Sequence, residues 1–173
     1  MASTACHRNR AGLPPTAATP LRAAVVGIIA ALCLTLVPAT PAQAADARTA
    51  AEIRNRIEYL INRDRDRNGL RRLRVNERMQ YYAKDHASRM ARAGMIFHDV
   101  TGLGAEVLRS ATGWGENVGM TSATDAARQA HRMFMQSPGH RANVLDRDWT
   151  HMGIGVVKRN GTTYVVERFA DAS

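Results

Sequence analysis

A tight turn near the end of the chain limits the architecture more than any other feature of the sequence. Asn160-Gly161 separates two runs in which apolar residues alternate, and Asn-Gly is a preferred pair for a two-residue β-hairpin loop. In the register that such a loop fixes, His151 lies beside Ala170 at the far end of the ribbon. The sequence therefore predicts two long antiparallel strands joined at this turn.

Both faces of this predicted hairpin carry apolar side chains, so both faces need cover. The residues of the first face are Val157, Tyr164 and Val166, and those of the second are Met152, Ile154, Val156, Val165 and Phe169. A sheet that is apolar on both faces is buried between layers of helices. The expected fold is α+β, a three-layer α-β-α sandwich with a small antiparallel sheet and helices on both faces.

The sequence contains three amphipathic helical segments that can form the outer layers. In the first segment, apolar residues recur at helical spacing from Ile53 to Ile61, and Asn68-Gly69 marks its end. Asn76 is positioned to cap the second helix, which ends at Gly94. We expect the third helix to start at Ser122 or Thr124, with Asp125 in its first turn. Its His131 falls toward the polar side and is expected to face solvent.

Three shorter segments carry weaker patterns. The arginine-rich run 62–78 contains interleaved acids and three apolar residues, which favours a solvated connector over a nucleic-acid tract. Residues 105–110 allow a short helix. The pair Ser137-Pro138 predicts a helix start, with the serine hydroxyl as cap and proline at the first helical position.

The first 44 residues have the order of a secretory signal peptide. Three arginines precede an apolar run at 23–37, and small residues follow at Ala42 and Ala44. That run of about fifteen residues is shorter than the roughly 20 that a permanent membrane span needs. Cleavage would leave a single domain at 45–173 without the two cysteines, Cys6 and Cys33, and therefore without disulfides. A secreted location is the expectation.

Removal of this leader, with its three arginines, lowers the formal net charge from +9 to +6. An exported domain with this positive balance is expected to approach an anionic cell-wall polymer or a lipid surface. Nucleic acid is not an expected partner, because the compartment is wrong and no recognition motif is present.

Four histidines and one acid are the candidates for a functional site. His86 lies on the apolar stripe of the second helix, where a core role bonded to backbone is the favoured interpretation. His98, His140 and His151 stand at the edges of predicted elements. Glu116 is flanked by glycines and is expected in a glycine-rich turn. Two histidines, a carboxylate and a water are a usual zinc arrangement, although spacing alone leaves this open.

Several motifs occur in one order along the chain, and together they resemble one family. They are the run 62–94, FHD at 97–99, GWGENV at 113–118, SPGHRANVLDRDWTHMGIGVV at 137–157 and the final hairpin. This order resembles the bacterial SCP-like branch of the CAP superfamily, which comprises cysteine-rich secretory proteins, antigen 5 and plant pathogenesis-related proteins of group one. The resemblance implies an α-β-α sandwich, in agreement with the hairpin.

The resemblance also implies a cleft with two histidines and two acids, in which the histidines coordinate a divalent metal such as Zn²⁺. By motif position, His98 and His151 are the implied metal ligands, and Glu116 is the acid of the Gly-Glu-Asn motif. Ser137, His140 and Asn117 would support the cleft. The second acid should stand where this chain has Ser137, which puts in doubt any mechanism that needs two carboxylates.

Three hypotheses for the function follow. The first is a secreted, envelope-associated binding protein whose cleft holds a metal or a small ligand. The second is a metal-dependent hydrolase, for example a peptidase, with Glu116 as general base. The third is a non-catalytic wall-surface interaction domain. The residues do not establish a reaction, and they name no substrate.

Overall fold

A computed structural model of the chain describes residues 48–99, 111 and 113–171. The predicted signal peptide and the short helix predicted at 105–110 lie outside the described residues. The elements, in chain order, are α1 Ala50–Arg67, β1 Arg74–Val75, α2 Glu77–Ala93, β2 Trp114–Thr121, α3 Ala126–Gln136, α4 Pro138–Leu145, β3 His151–Arg159 and β4 Thr162–Ala170.

The strands form one four-stranded sheet in the order β1-β3-β4-β2. The hairpin register is confirmed, because His151 pairs with Ala170 and Met152 with Phe169 across β3 and β4. β2 pairs antiparallel with β4 on the other side. The sheet is mixed rather than purely antiparallel, since the short β1 runs parallel to β3.

The helices cover both faces of the sheet, as the sandwich prediction requires. α1 and α3 share one core with one face of β3 and β4, and the buried residues of this core include Ile57, Phe134, Ile154 and Phe169. α2 packs on the opposite face, against Val118, Tyr164 and Val166. The two sets of strand residues that alternate in sequence therefore enter two different cores.

Helix α2 lies unusually close to the sheet where β3 carries glycine. A Cβ atom at Gly153 would overlap the backbone of α2 at Met79 and Gln80, and one at Gly155 would overlap Ala83. Glycine is therefore required at both positions for the close approach of a backbone, not for an unusual φ.

Helix caps agree with the sequence at some ends and not at others. Asn76 caps α2 through its side chain, and Gly94 ends it with a left-handed φ of 69°. α3 begins later than predicted, since Asp125 is its N-cap and accepts from the Arg128 backbone. The Ser137 hydroxyl makes no capping hydrogen bond, although Pro138 does open α4 as predicted.

The arginine-rich run is only partly a connector, which corrects the sequence prediction. α1 continues through Arg67, and Arg65 within it is fully buried. Its guanidinium donates to the carbonyl oxygens of Arg71, Val144 and Asp146 at 2.7–2.9 Å. Because planar guanidinium groups satisfy several carbonyls at once, Arg65 joins α1 to the end of α4.

His131 is buried rather than exposed to solvent, with only 4% of its surface accessible. Its Nε2 lies 2.8 Å from the Asp64 carboxylate of α1. The polar side of α3 therefore meets the polar side of α1, and the two helices share a hydrogen bond at a position where the pattern predicted solvent.

Candidate functional site

Glu116 is the centre of the candidate site, and it is held by a strand rather than by the predicted glycine-rich turn. It lies in β2, directly opposite Arg168 of β4, which in turn faces Gly153 of β3. Residues paired in this way point to the same face of the sheet, here the face covered by α2.

Four donors surround the Glu116 carboxylate. Oε2 lies 3.0 Å from His86 Nδ1 and 3.2 Å from Arg168 Nε. Oε1 lies 3.1 Å from His98 Nδ1 and 3.1 Å from the Asp99 backbone nitrogen. An ionised carboxylate only accepts hydrogen bonds, so both histidines donate Nδ1–H to it. Glu116 therefore fixes the orientation of both imidazoles.

Burial alone would raise the pKa of Glu116, but hydrogen bonds from His86, the Asp99 backbone and His98 outweigh it. The pKa ends below its ordinary value, and the group is ionised at neutral pH. A carboxylate with this pKa and four donors is a poor proton acceptor. The geometry fits a positioning role better than the general-base role considered above.

A second carboxylate, Asp99, lies beside the first and is held by two arginines. Its Oδ2 accepts from Arg168 at 2.9 Å and from Arg89 at 2.6 Å. Arg168 is fully buried and bridges Asp99 and Glu116. Such a network is costly to break, because removing one partner leaves buried charge uncompensated.

His98 is the member of this network that opens to solvent. Its side chain is 57% exposed, whereas the Glu116 carboxylate beneath it is 2% exposed. With Nδ1 bonded to the acid, Nε2 is the ring nitrogen that is left for a ligand. A carboxylate behind an imidazole is the usual arrangement for a histidine that binds a metal or a ligand through its other nitrogen.

His140 of α4 is the second histidine near this network. Burial lowers the pKa of His140, and a positive charge on His98 would lower it further. Its carbonyl accepts from the Asn117 side chain at 3.1 Å, and its ring packs on Phe134. Asn117 thus joins β2 to α4.

Asn117 also connects to a buried acid on the opposite face of the sheet. Its amide donates to Glu167 at 2.9 Å and its oxygen accepts from Asn143 at 2.9 Å. Burial raises the pKa of Glu167 to about 8, and the single amide bond lowers it only in part. Glu167 is therefore mainly a neutral carboxylic acid at pH 7.

The other two predicted residues occupy different places. His151 begins β3, and its Nδ1 lies 2.8 Å from the Thr150 hydroxyl. It lies on the same sheet face as Glu116, beside Ala170. His98 acts electrostatically on the pKa of His140, which places His140 near His98. Ser137 is half-buried at the junction of α3 and α4.

The residues of the cleft fit a divalent metal only in part. His98 offers an oriented imidazole nitrogen, and a second histidine is nearby. In the part of the chain that the structure describes, no group of three or more His, Cys, Asp or Glu side chains could hold a metal ion. A metal bound here would therefore take its remaining ligands from water or from a bound molecule, and it would supply a Lewis acid.

The sequence did not predict three features of the network: the bond of His86 to Glu116, and the membership of Asp99 and of Arg168. His86 is buried as expected, yet it bonds to the Glu116 side chain rather than to backbone. Glu167 and Arg168 are adjacent charges inside the apolar run TTYVVERFA. Two charges in a strand that is buried on both faces are a signal that each must find a partner.

These features define a class of protein, an α-β-α sandwich with a buried histidine-carboxylate network on its four-stranded sheet. The model of the cysteine-rich secretory protein family, CAP, matches residues 58–169. The chain belongs to this family. No curated protein sequence matches it.

Solved structures from bacteria share the fold. An outer surface protein of Borrelia burgdorferi aligns with a TM-score of 0.63 and 16% identity, over 73% of this chain and 97% of that protein. An extracellular SCP-domain protein of Bacillus anthracis aligns with a TM-score of 0.61 and 24% identity, over 77% of this chain and 44% of that one. A cysteine-rich secretory protein of Staphylococcus aureus aligns with a TM-score of 0.51 and 17% identity, over 72% of this chain and 40% of that protein. This chain spans less than half of the latter two.

Proposed function

We propose that this chain is an extracellular, envelope-associated CAP-domain protein whose cleft binds a divalent metal ion or a small ligand at His98. The observation that carries the proposal is the pairing of a solvent-open imidazole with a buried, ionised carboxylate. The description of two structural relatives as outer surface or extracellular proteins supports the location. None of the helices in the described ranges combines the length and hydropathy of a membrane span.

The second ligand-binding nitrogen is proposed to come from His140 or from His151. His140 is favoured by its electrostatic contact with His98, and His151 by the motif resemblance. Either would leave coordination positions for water or for a ligand oxygen. The role of Glu116 is to hold His98 in one tautomer and orientation.

Zinc titration by calorimetry at pH 7 tests the metal part of the proposal. Wild type should bind, and His98→Ala should weaken binding at least about tenfold, the usual effect of losing a ligand or its support. His140→Ala and His151→Ala then identify the second histidine. Arg141→Ala, an exposed neighbour on α4, is the control and should bind as wild type does. Absence of zinc binding by wild type would refute the metal part.

The same protein is proposed to associate with an anionic cell-wall polymer through its positive charge. Screening weakens such attraction between exposed charges, so retention on a column of immobilised polyanion should fall as salt rises from about 0.05 to 0.5 M. Retention that is independent of salt would contradict a purely electrostatic association.

A further inference from the structure

A pocket of about 290 Å³ lies between α1 and α3, in the helical layer on the opposite face of the sheet from Glu116. Arg63 and Asp64 of α1 line it, together with Arg128, His131 and Arg132 of α3. We call it the α1–α3 pocket. It shares no residue with the His98 cleft and does not depend on the function proposed there.

A buried hydrogen bond holds the two helices together at the base of this pocket. His131 Nε2 lies 2.8 Å from Asp64 Oδ2, and the two side chains are 5% and 15% exposed. Arg63 binds the other oxygen of the same carboxylate at 2.7 Å. Because this pair fixes α1 against α3, arginines from two helices border one cavity.

The lining of the pocket is positive. It contains three arginines and one carboxylate, a surplus of two positive charges, and Asp125 beside the pocket offsets one of them. Arg128 also contacts Asp125 at 3.2 Å, with 66% of its side chain exposed, and Arg132 contacts the neutral Gln129 amide. Guanidinium groups match phosphate oxygens as paired donors.

Two further properties narrow the class of ligand. Leu60 and Met135 give the pocket an apolar wall, and its volume has room for a small organic group beside a phosphate. Nδ1 of His131 is buried and has no hydrogen-bond partner among the described residues. This nitrogen has too little accessible surface for a ligand to reach, so the arginines, and not His131, are the groups that match the nearly dianionic phosphate of a monoester at pH 7.

We propose that the α1–α3 pocket binds a phosphomonoester with a small organic substituent. Arg63, Arg128 and Arg132 hold the phosphate, the apolar wall receives the substituent, and the Asp64–His131 pair forms the base. A phosphodiester carries one negative charge where a monoester carries nearly two at pH 7, and it is therefore the weaker ligand for a positive pocket. Free inorganic phosphate lacks the substituent and is also weaker.

Calorimetry on the full chain at low salt and pH 7, with glycerol 3-phosphate, inorganic phosphate and dimethyl phosphate as separate probes, tests this order. Glycerol 3-phosphate should bind one to one and at least about tenfold more tightly than the diester, a difference of roughly 1.4 kcal/mol. Equal binding of all three probes, or no saturable binding of the monoester, would overturn the proposal.

Matched variants separate a built pocket from general positive charge. Arg128→Gln with Arg132→Gln should weaken binding of glycerol 3-phosphate at least about tenfold, because two phosphate donors are lost. Arg92→Gln with Arg159→Gln removes the same charge from exposed positions on α2 and β3, and should change binding less than about twofold through long-range attraction alone. Equal losses in both pairs would refute the pocket. All four positions are exposed, so thermal unfolding should confirm that both variants remain folded.

A spectroscopic measurement locates the site without mutation. In a ¹⁵N-imidazole NMR titration, glycerol 3-phosphate should shift the His131 signals and leave those of His98 in place. The same affinity in His98→Ala would show that the two sites are independent. A shift of His98 alone would assign the phosphate to the cleft and overturn the proposal.

Discussion

Two histidine-carboxylate pairs, His98–Glu116 and His131–Asp64, lie on opposite sides of the sheet, and they are built in opposite ways. In the cleft the acid, Glu116, is deep, and the histidine, His98, is 57% exposed. Between α1 and α3 the histidine, His131, is deep, at 5% exposure, and the acid, Asp64, is nearer the surface among arginines. The buried Glu116 orients the accessible ring of His98. The buried ring of His131 instead holds α1 against α3, and the arginines remain at the surface of the pocket.

The electrostatics of the two pairs follow from this inversion. For both acids burial raises the pKa, but hydrogen bonds from the histidines and neighbouring groups outweigh it, so both pKa values lie below the ordinary one. Burial lowers the pKa of His131, and the hydrogen bond and charge of Asp64 offset this only in part. The same two residue types therefore serve different purposes according to which of them is desolvated.

Removal of Arg168, the buried cation bonded to Glu116 and Asp99, should have the largest effect on one of the two pairs. Arg168→Met leaves Glu116 and Asp99 without their shared buried partner, and we expect a loss of about 3–5 kcal/mol in the free energy of unfolding. Urea denaturation measures it. Arg159→Met, at an exposed position of β3, is the control and should change stability by less than about 0.5 kcal/mol. A loss below about 1 kcal/mol for Arg168→Met would mean that the buried network is not coupled to the fold.

Glu167 sharpens the comparison, because among the described residues it bonds to the Asn117 amide and to no histidine or arginine. Its pKa of about 8 exceeds the ordinary 4.5, so the folded state retains a proton that the unfolded state loses. Its contribution to stability is present below pH 4.5 and is lost as pH rises toward 8. Glu167→Gln should therefore raise the free energy of unfolding at pH 8 by a few kcal/mol, since one pKa unit corresponds to about 1.36 kcal/mol.

Urea denaturation of both proteins at pH 5 and pH 8 measures this difference. The variant should lose the decline between the two pH values, because glutamine keeps the oxygen that Asn117 bonds. An unchanged decline would show that another group titrates in this window.

Alanine at the two histidines tests the inversion directly. His131→Ala removes a buried hydrogen bond and should cost about 1–3 kcal/mol. His98→Ala removes a mostly exposed ring and should cost less than about 0.5 kcal/mol, although it weakens zinc binding. Chemical denaturation of both variants at pH 7 gives the two values. The reverse order would invalidate the distinction between the pairs.

The smallest effect concerns the titration of His131. Its NMR titration midpoint should lie below the ordinary 6.5, because burial disfavours the charged ring. The stability that this depressed pKa contributes is present above pH 6.5 and is lost as pH falls through the folded pKa. Asp64→Asn should move the midpoint lower still, since the favourable charge is lost and the burial remains. A midpoint that rises in Asp64→Asn would contradict this account.

Local signals in the sequence predicted much of the fold. The Asn160-Gly161 turn fixes the register of β3 and β4 by itself, and Asn76 and Gly94 mark the ends of α2. The sequence predicts a turn where the structure has β2, because Gly115 and Gly119 lower the apparent strand propensity. The space that these glycines leave is filled by Asn143 and Phe134, which no local pattern records.

The site was predictable only where a motif carries it. His98 and Glu116 followed from the resemblance, and the structure brings them to 3.1 Å. His131 was misplaced because its partner Asp64 lies 67 residues away, and a helical pattern cannot show which polar face will meet another. Arg168 required the pairing of β2 with β4, which is a property of the tertiary fold.

The two glycines of β3 set a mechanical tolerance for the whole site. His86 belongs to α2 and Glu116 belongs to the sheet. The distance between helix and sheet therefore sets the length of the hydrogen bond between these two side chains. A single methyl group at Gly153 or Gly155 would lift the helix and separate that pair without touching either residue. In a mutational scan, these two glycines would then tolerate substitution less well than the residues that contact the ligand.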